Sequence, residues 1–197
     1  MQSVVLLGVV IIAGLVIADW RAFTRRNDTT LRYGIPVARQ QNRLSLSASS
    51  LGTGGSLRLG HGAAHHYSEH KAIVLLPDLR QFGVSFRTAW PLNGVVYYNS
   101  LSDNAEVRFI KRMPWSSAVL TLFWFMAVAG GLITYLVSYA RAGGFSSASG
   151  TFMAAAVGGL GVLVLLFGII VVVAAYWLED KRLMVLYHEL GSSASAR

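Results

Sequence analysis

The sequence predicts an integral membrane α-helical protein: three transmembrane helices plus a small antiparallel β-rich extramembrane domain between helices 1 and 2. Three observations predict it. The chain of 197 residues is 54% hydrophobic and only 13% charged, too apolar for an ordinary water-soluble domain. Its apolar residues collect in three blocks. Between the first and second blocks the pattern changes to short runs of period two, the mark of half-buried strands.

The first block, residues 4–20 ("VVLLGVVIIAGLVIADW"), has no ionisable side chain before Asp19. A spanning helix needs about 20 mostly apolar residues, so this block is marginal in length. "MQS" lacks the positive charge that opens a signal peptide, and Arg21, Arg25 and Arg26 follow the apolar run. Residues 1–20 are therefore expected to be an uncleaved transmembrane helix 1.

Residues 21–116 read as the β-rich domain. "NRLSLSA" alternates, "KAIVLLP" suits a short buried strand, and "FGVSFRTAW" sets Val84, Phe86, Thr88 and Trp90 on one face. Asn93 and Gly94 between apolar runs suggest a type I′ hairpin turn, because both tolerate positive φ. "NSLSDN" offers a second turn and "AEVRFIK" a further strand, making residues 82–112 a three-stranded meander. "LRYGIPVAR", "NRLSLSA" and "SLRLG" are weaker strands expected to complete a small sheet or open barrel. From about 45 to 70 the chain turns rich in Ser, Gly and His, the composition of a flexible insert.

Residues 117–178 hold the second and third blocks, 118–139 and 152–178, with no ionisable residue in either. They are expected to form a transmembrane hairpin, helices 2 and 3. The tail 179–197 continues as an amphipathic helix, with Leu183, Leu186, Tyr187 and Leu190 recurring at three- and four-residue intervals.

Charge orients the whole. Residues 19–116 hold 13 of the 17 Lys and Arg, and the connector between the second and third blocks holds only Arg141. The positive-inside rule then puts the β domain and C-terminus on the cytoplasmic side and the N-terminus outside. The expected location is the inner (cytoplasmic) membrane or its organellar equivalent.

Candidate chemistry is sparse. With no cysteine, disulfides and thiolate metal sites are excluded. His61, His65, His66 and His70 crowd one stretch and are the candidate residues for a metal site or a pH-responsive loop, although the expectation is no cofactor. No Gly-rich phosphate loop or nucleophile signature is present, so no catalytic residue is assigned and an enzyme is not expected. The basic residues are not interleaved with aromatics, which argues against nucleic acid; a small-molecule ligand is left unknown.

Packing candidates are plainer. Small residues four apart, Ala127 with Gly131, Ala154 with Gly158 and Ala155 with Gly159, let spanning helices approach closely. Trp90, Tyr97, Tyr98, Phe109, Leu183, Leu186 and Tyr187 are candidate packing or partner contacts. Trp20, Arg21, Arg25, Arg26, Lys111, Arg112 and Trp115 flank the apolar blocks and are candidate interface anchors toward anionic lipids. The favoured function is a non-catalytic accessory subunit that stabilises or helps assemble a larger membrane complex with other integral membrane subunits. The alternatives are a membrane-tethered sensor using the histidine-rich loop, and a membrane enzyme of the lipid or envelope pathway.

Overall fold

The computed structural model describes residues 2–24, 29–44, 46, 55–78, 88–102 and 104–195. The described elements run α1 (Gln2–Thr24), α2 (Thr29–Arg32), β1 (Ile35–Leu44), β2 (Ser56–Leu59), β3 (Gly62–Tyr67), β4 (Ala72–Pro77), β5 (Asn93–Tyr98), β6 (Ala105–Met113), α3 (Trp115–Arg141) and α4 (Ala148–Ser195). A single 3-10 turn, Ser68–His70, links β3 to β4. The chain forms two compact units, residues 1–117 with 175–197, and residues 118–174.

The first unit is built on one six-stranded antiparallel sheet in the order β1-β6-β5-β4-β3-β2. Strands β2 to β6 form a meander, and β1 pairs with β6 along most of its length. The last stretch of α4 supplies Leu183, Leu186, Tyr187 and Leu190 to one sheet face. There they meet Leu59, Ala64, Ile73, Leu75, Val96, Val107 and Phe109 in one buried cluster. The helical periodicity of the tail thus becomes a packed stripe. Burying each such leucine contributes roughly 1.5–3 kcal/mol. The opposite face gathers Leu31, Ala72, Val74 and Val95, with Tyr67, Leu76 and Tyr97 at its margin.

Two glycines let the helix come so close. A side chain on Gly94 would meet the Phe109 ring at 2.6 Å and Leu183 at 2.9 Å, and one on Gly62 would meet Leu186 at 2.8 Å. Asn93 and Gly94 therefore do not form the expected hairpin turn. They lie inside β5, with Gly94 opposite Leu75 on one side and Lys111 on the other. The glycine serves close approach rather than positive φ. The "NSLSDN" segment does separate β5 from β6.

Two further expectations are corrected. The histidine-rich part of the flexible insert is a hairpin, β2 with β3, closed across Leu59 and Gly62 and continued by β4. Ala64 and Leu59 in that stretch are buried apolar positions, so a core forms where composition suggested a loop. The two weak strands around Pro36 and Leu44 are one ten-residue edge strand, β1, with a register shift between Pro36 and Ala38. Proline and an irregularity are ordinary guards on a sheet edge. The expected strand at 82–90 lies mostly outside the described residues.

The three expected spans become two. Among the described residues two helices, α3 and α4, are long and apolar enough to cross a membrane, and a third span is not supported. The most apolar windows of α3 and α4 have no buried share, unlike core helices of a water-soluble fold. A 48-residue helix is about 72 Å long, more than twice the ~30 Å hydrocarbon core. No Gly or Pro interrupts α4 between Leu178 and Gly191, so it continues unbroken into the tail that covers the sheet.

In the second unit, 118–141 and 148–174 form a helical hairpin. Gly143 takes φ +75 after the end of α3, and the Tyr139 hydroxyl donates to the Gly150 carbonyl at 3.2 Å. The helices touch where Leu132 lies over Gly161 and Trp124 over Gly168.

Candidate functional site

The first unit concentrates its buried polar groups where the sheet meets the root of the tail helix. Glu179 sits at 2% exposure and Arg182 at 4%. Arg182 Nη1 donates to Glu179 Oε1 at 2.8 Å, and the Thr88 hydroxyl donates to the same oxygen at 3.1 Å. The i, i+3 spacing on α4 brings the two charges together. One residue on, Asp180 accepts from the ammonium of Lys111, which β6 buries. Phe109 lies beneath that ammonium and stacks on Tyr187 at 4.6 Å.

Further along the tail, Glu189 grips the β2–β3 turn. His61 donates its backbone N–H to Glu189 Oε2 at 3.1 Å, and its Nδ1 meets Glu189 Oε1. On the same sheet face His66 Nε2 and the Tyr98 hydroxyl share a 2.6 Å hydrogen bond. Burial lowers the His66 pKa below 6.5 and raises that of Tyr98 above 10. Both groups are thereby held neutral at pH 7.

A second polar knot gathers around Arg112 and Tyr97 on the opposite face of the sheet. Asp19, in the penultimate turn of α1, accepts the backbone N–H of Ser116 in the first turn of α3, a placement the helix dipole favours. Burial, then a hydrogen bond to Asp19 and its charge, push the Tyr33 pKa up to about 12. Arg112 Nη1 donates to the carbonyls of Arg32 at 2.9 Å and Gly34 at 3.1 Å, and the Tyr97 hydroxyl to that of Leu31. Together they hold α2 and the start of β1 against the sheet.

These positions sort the residues singled out in the sequence. His65 is buried on the other sheet face from His66, and exposed His70 sits in the 3-10 turn. The four histidines thus stand in four settings, and among the described residues no three His, Asp or Glu gather as a metal group. Tyr98, Phe109, Leu183, Leu186 and Tyr187 are brought together in the cluster beneath the tail. Trp90 is half-buried at a bend beside Thr88. Ala154 is buried, whereas Ala127 and Ala155 are exposed, and Gly131, Gly158 and Gly159 face open space. Of the anchors, Arg21 and Trp115 are exposed, while Lys111 and Arg112 turn inward. Arg25, Arg26 and the Trp20 side chain lie outside the described residues.

Glu179, Asp180, Arg182, Glu189 and Asp19 were not singled out by sequence reasoning. Their signal was present as "LEDKR", four charges directly after an apolar run, and as an acid closing the first apolar block. Compared with known protein families, curated proteins and solved structures, the chain finds no match.

Proposed function

We propose that this chain is a non-catalytic integral membrane accessory subunit that stabilises or helps assemble a larger membrane complex. The observation that carries the reading is the open face of the helical hairpin. A side chain at Gly130, Gly131, Gly158 or Gly159 would meet nothing within 4 Å. In lipid, close packing over small residues rather than hydrophobicity drives helix association, and here the hairpin's own contact uses Gly161 and Gly168 instead. The open glycines are thus available to helices of other subunits.

The sheet belongs on the cytoplasmic side, or its organellar equivalent, by the charge asymmetry between residues 19–116 and the α3–α4 connector. Anionic lipids are the expected partners there. A sensor reading draws on the His61–Glu189 grip, which couples the β2–β3 turn to the tail. A lipid-pathway enzyme would need a pocket beside the bilayer. Among the described residues a polar cleft of about 370 Å³, lined by Arg43, Glu106 and Arg108, opens at the end of β6 remote from α3.

The test is gentle extraction from the native membrane and mass spectrometry of what accompanies the chain. Fixed partners in defined stoichiometry are expected; a lone chain would contradict the subunit reading.

A further inference from the structure

Where α4 leaves its apolar run, four consecutive charges, Glu179, Asp180, Lys181 and Arg182, occupy one helical turn. Three of them are committed to the protein. Glu179 and Arg182 pair with each other and with Thr88, and Asp180 holds Lys111. Lys181 alone of the four is exposed. Its ammonium stands 3.5 Å over the ring of Trp177, one turn toward the apolar run. Trp177 is itself 58% exposed and is followed by exposed Leu178.

The depth of this pair follows from the fold. The Lys111–Asp180 contact sets β6 and α4 level. From that contact toward the apolar runs, the first exposed aromatic side chain is Trp177 on one element and Trp115 on the other. Indole favours the headgroup layer, and a lysine can lay its stem along apolar surface while its ammonium reaches phosphate. The ring takes one side of the ammonium and leaves the others for acceptors. Of the other basic groups on β6 and α4 beside it, Lys111, Arg112 and Arg182 are spent on Asp180, backbone carbonyls and Glu179.

We infer that Trp177 and Lys181 form a headgroup site for an anionic phospholipid on the sheet side of the membrane. The inference rests on the reading of α4 as a membrane span. The lipid phosphate pairs with the Lys181 ammonium, and Trp177 and Leu178 lie along the glycerol and upper acyl region.

The test uses the full chain in vesicles of phosphatidylcholine with and without phosphatidylglycerol, together with native mass spectrometry of retained lipid. The wild-type chain is expected to float with both vesicle types and to retain phosphatidylglycerol preferentially. Lys181→Gln should lower that retention about fivefold, since one basic residue at an anionic surface is worth ~1 kcal/mol. Lys181→Arg should restore it, and Trp177→Leu should weaken it while keeping the apolar contact. Unchanged retention in Lys181→Gln, with flotation intact, would overturn the site and leave the span standing. Failure to float with any vesicle would overturn the span and the site with it. Displacement of the lipid by millimolar inorganic phosphate would show a free-phosphate site and overturn the lipid assignment.

Discussion

His66 and Tyr98 meet across the sheet as two neutral groups, and their environment ties stability to pH. The folded-state pKa of His66 lies below 6.5 because burial disfavours the imidazolium. The unfolded chain therefore binds the proton more readily, and stability falls as pH drops below about 6.5 toward the folded value. Replacing His66 with Gln should flatten that acid-side loss in the unfolding of the detergent-solubilised chain measured from pH 7.5 to 5. An unchanged slope would assign the pH dependence to other groups. The Glu179–Arg182 pair is a sharper case, since both side chains are nearly water-free. Glu179→Gln leaves the Arg182 charge buried without a counter-charge, a change that costs about 3–5 kcal/mol. A loss below 1 kcal/mol in denaturant unfolding would mean that water reaches Arg182. Neither role was legible beforehand. The histidines drew attention by their crowding in sequence, but alternation along β3 sends His65 and His66 to opposite faces. The acids attracted none because their partners, Thr88 and Lys111, are distant in the chain.

At the scale of elements, the tail helix and the sheet explain each other. The stripe of Leu183, Leu186, Tyr187 and Leu190 was readable from its spacing, since an amphipathic helix needs a surface to cover. Residues 72–77 and 105–111 were readable as strands because buried and alternating runs leave plain patterns. Of the β2–β3 hairpin only β2 was, as "SLRLG". Its partner β3 is short and made of Gly, Ala, His and Tyr, and only pairing with β2 and β4 makes it a strand. Asn93 and Gly94 misled for a related reason. A dipeptide that suits a tight turn also suits a strand pressed beneath a leucine, and only the tertiary contact with Leu183 decides between them. Gly94→Val should therefore destabilise the fold by roughly 1–3 kcal/mol through overpacking against Phe109 and Leu183. If Gly94 were needed for a turn instead, Gly94→Asn would be tolerated; the packing account expects both substitutions to lower the unfolding midpoint.

For the whole molecule, an antiparallel sheet joined to apolar helices long enough to cross a membrane was legible from hydropathy, because such helices leave long uninterrupted apolar runs. The number of helices able to cross was not, since the first apolar block ends at Asp19, close to the lower limit of a spanning length. Which small residues pack the hairpin was also hidden. Several glycines share helical spacing, and rotation about the helix axis selects Gly161 and Gly168 for the internal contact. That selection leaves Gly131 and Gly159 outward, open to the subunit helices that we propose pack there. The most direct measurement compares the partners that co-purify in fixed stoichiometry with the wild-type chain and with a chain carrying Gly131→Leu and Gly159→Leu. The subunit account predicts a defined partner set for the wild type that the double variant loses while its own fold, judged by its thermal unfolding, is kept. A wild-type chain that leaves the membrane alone, or a double variant that keeps every partner, would contradict it.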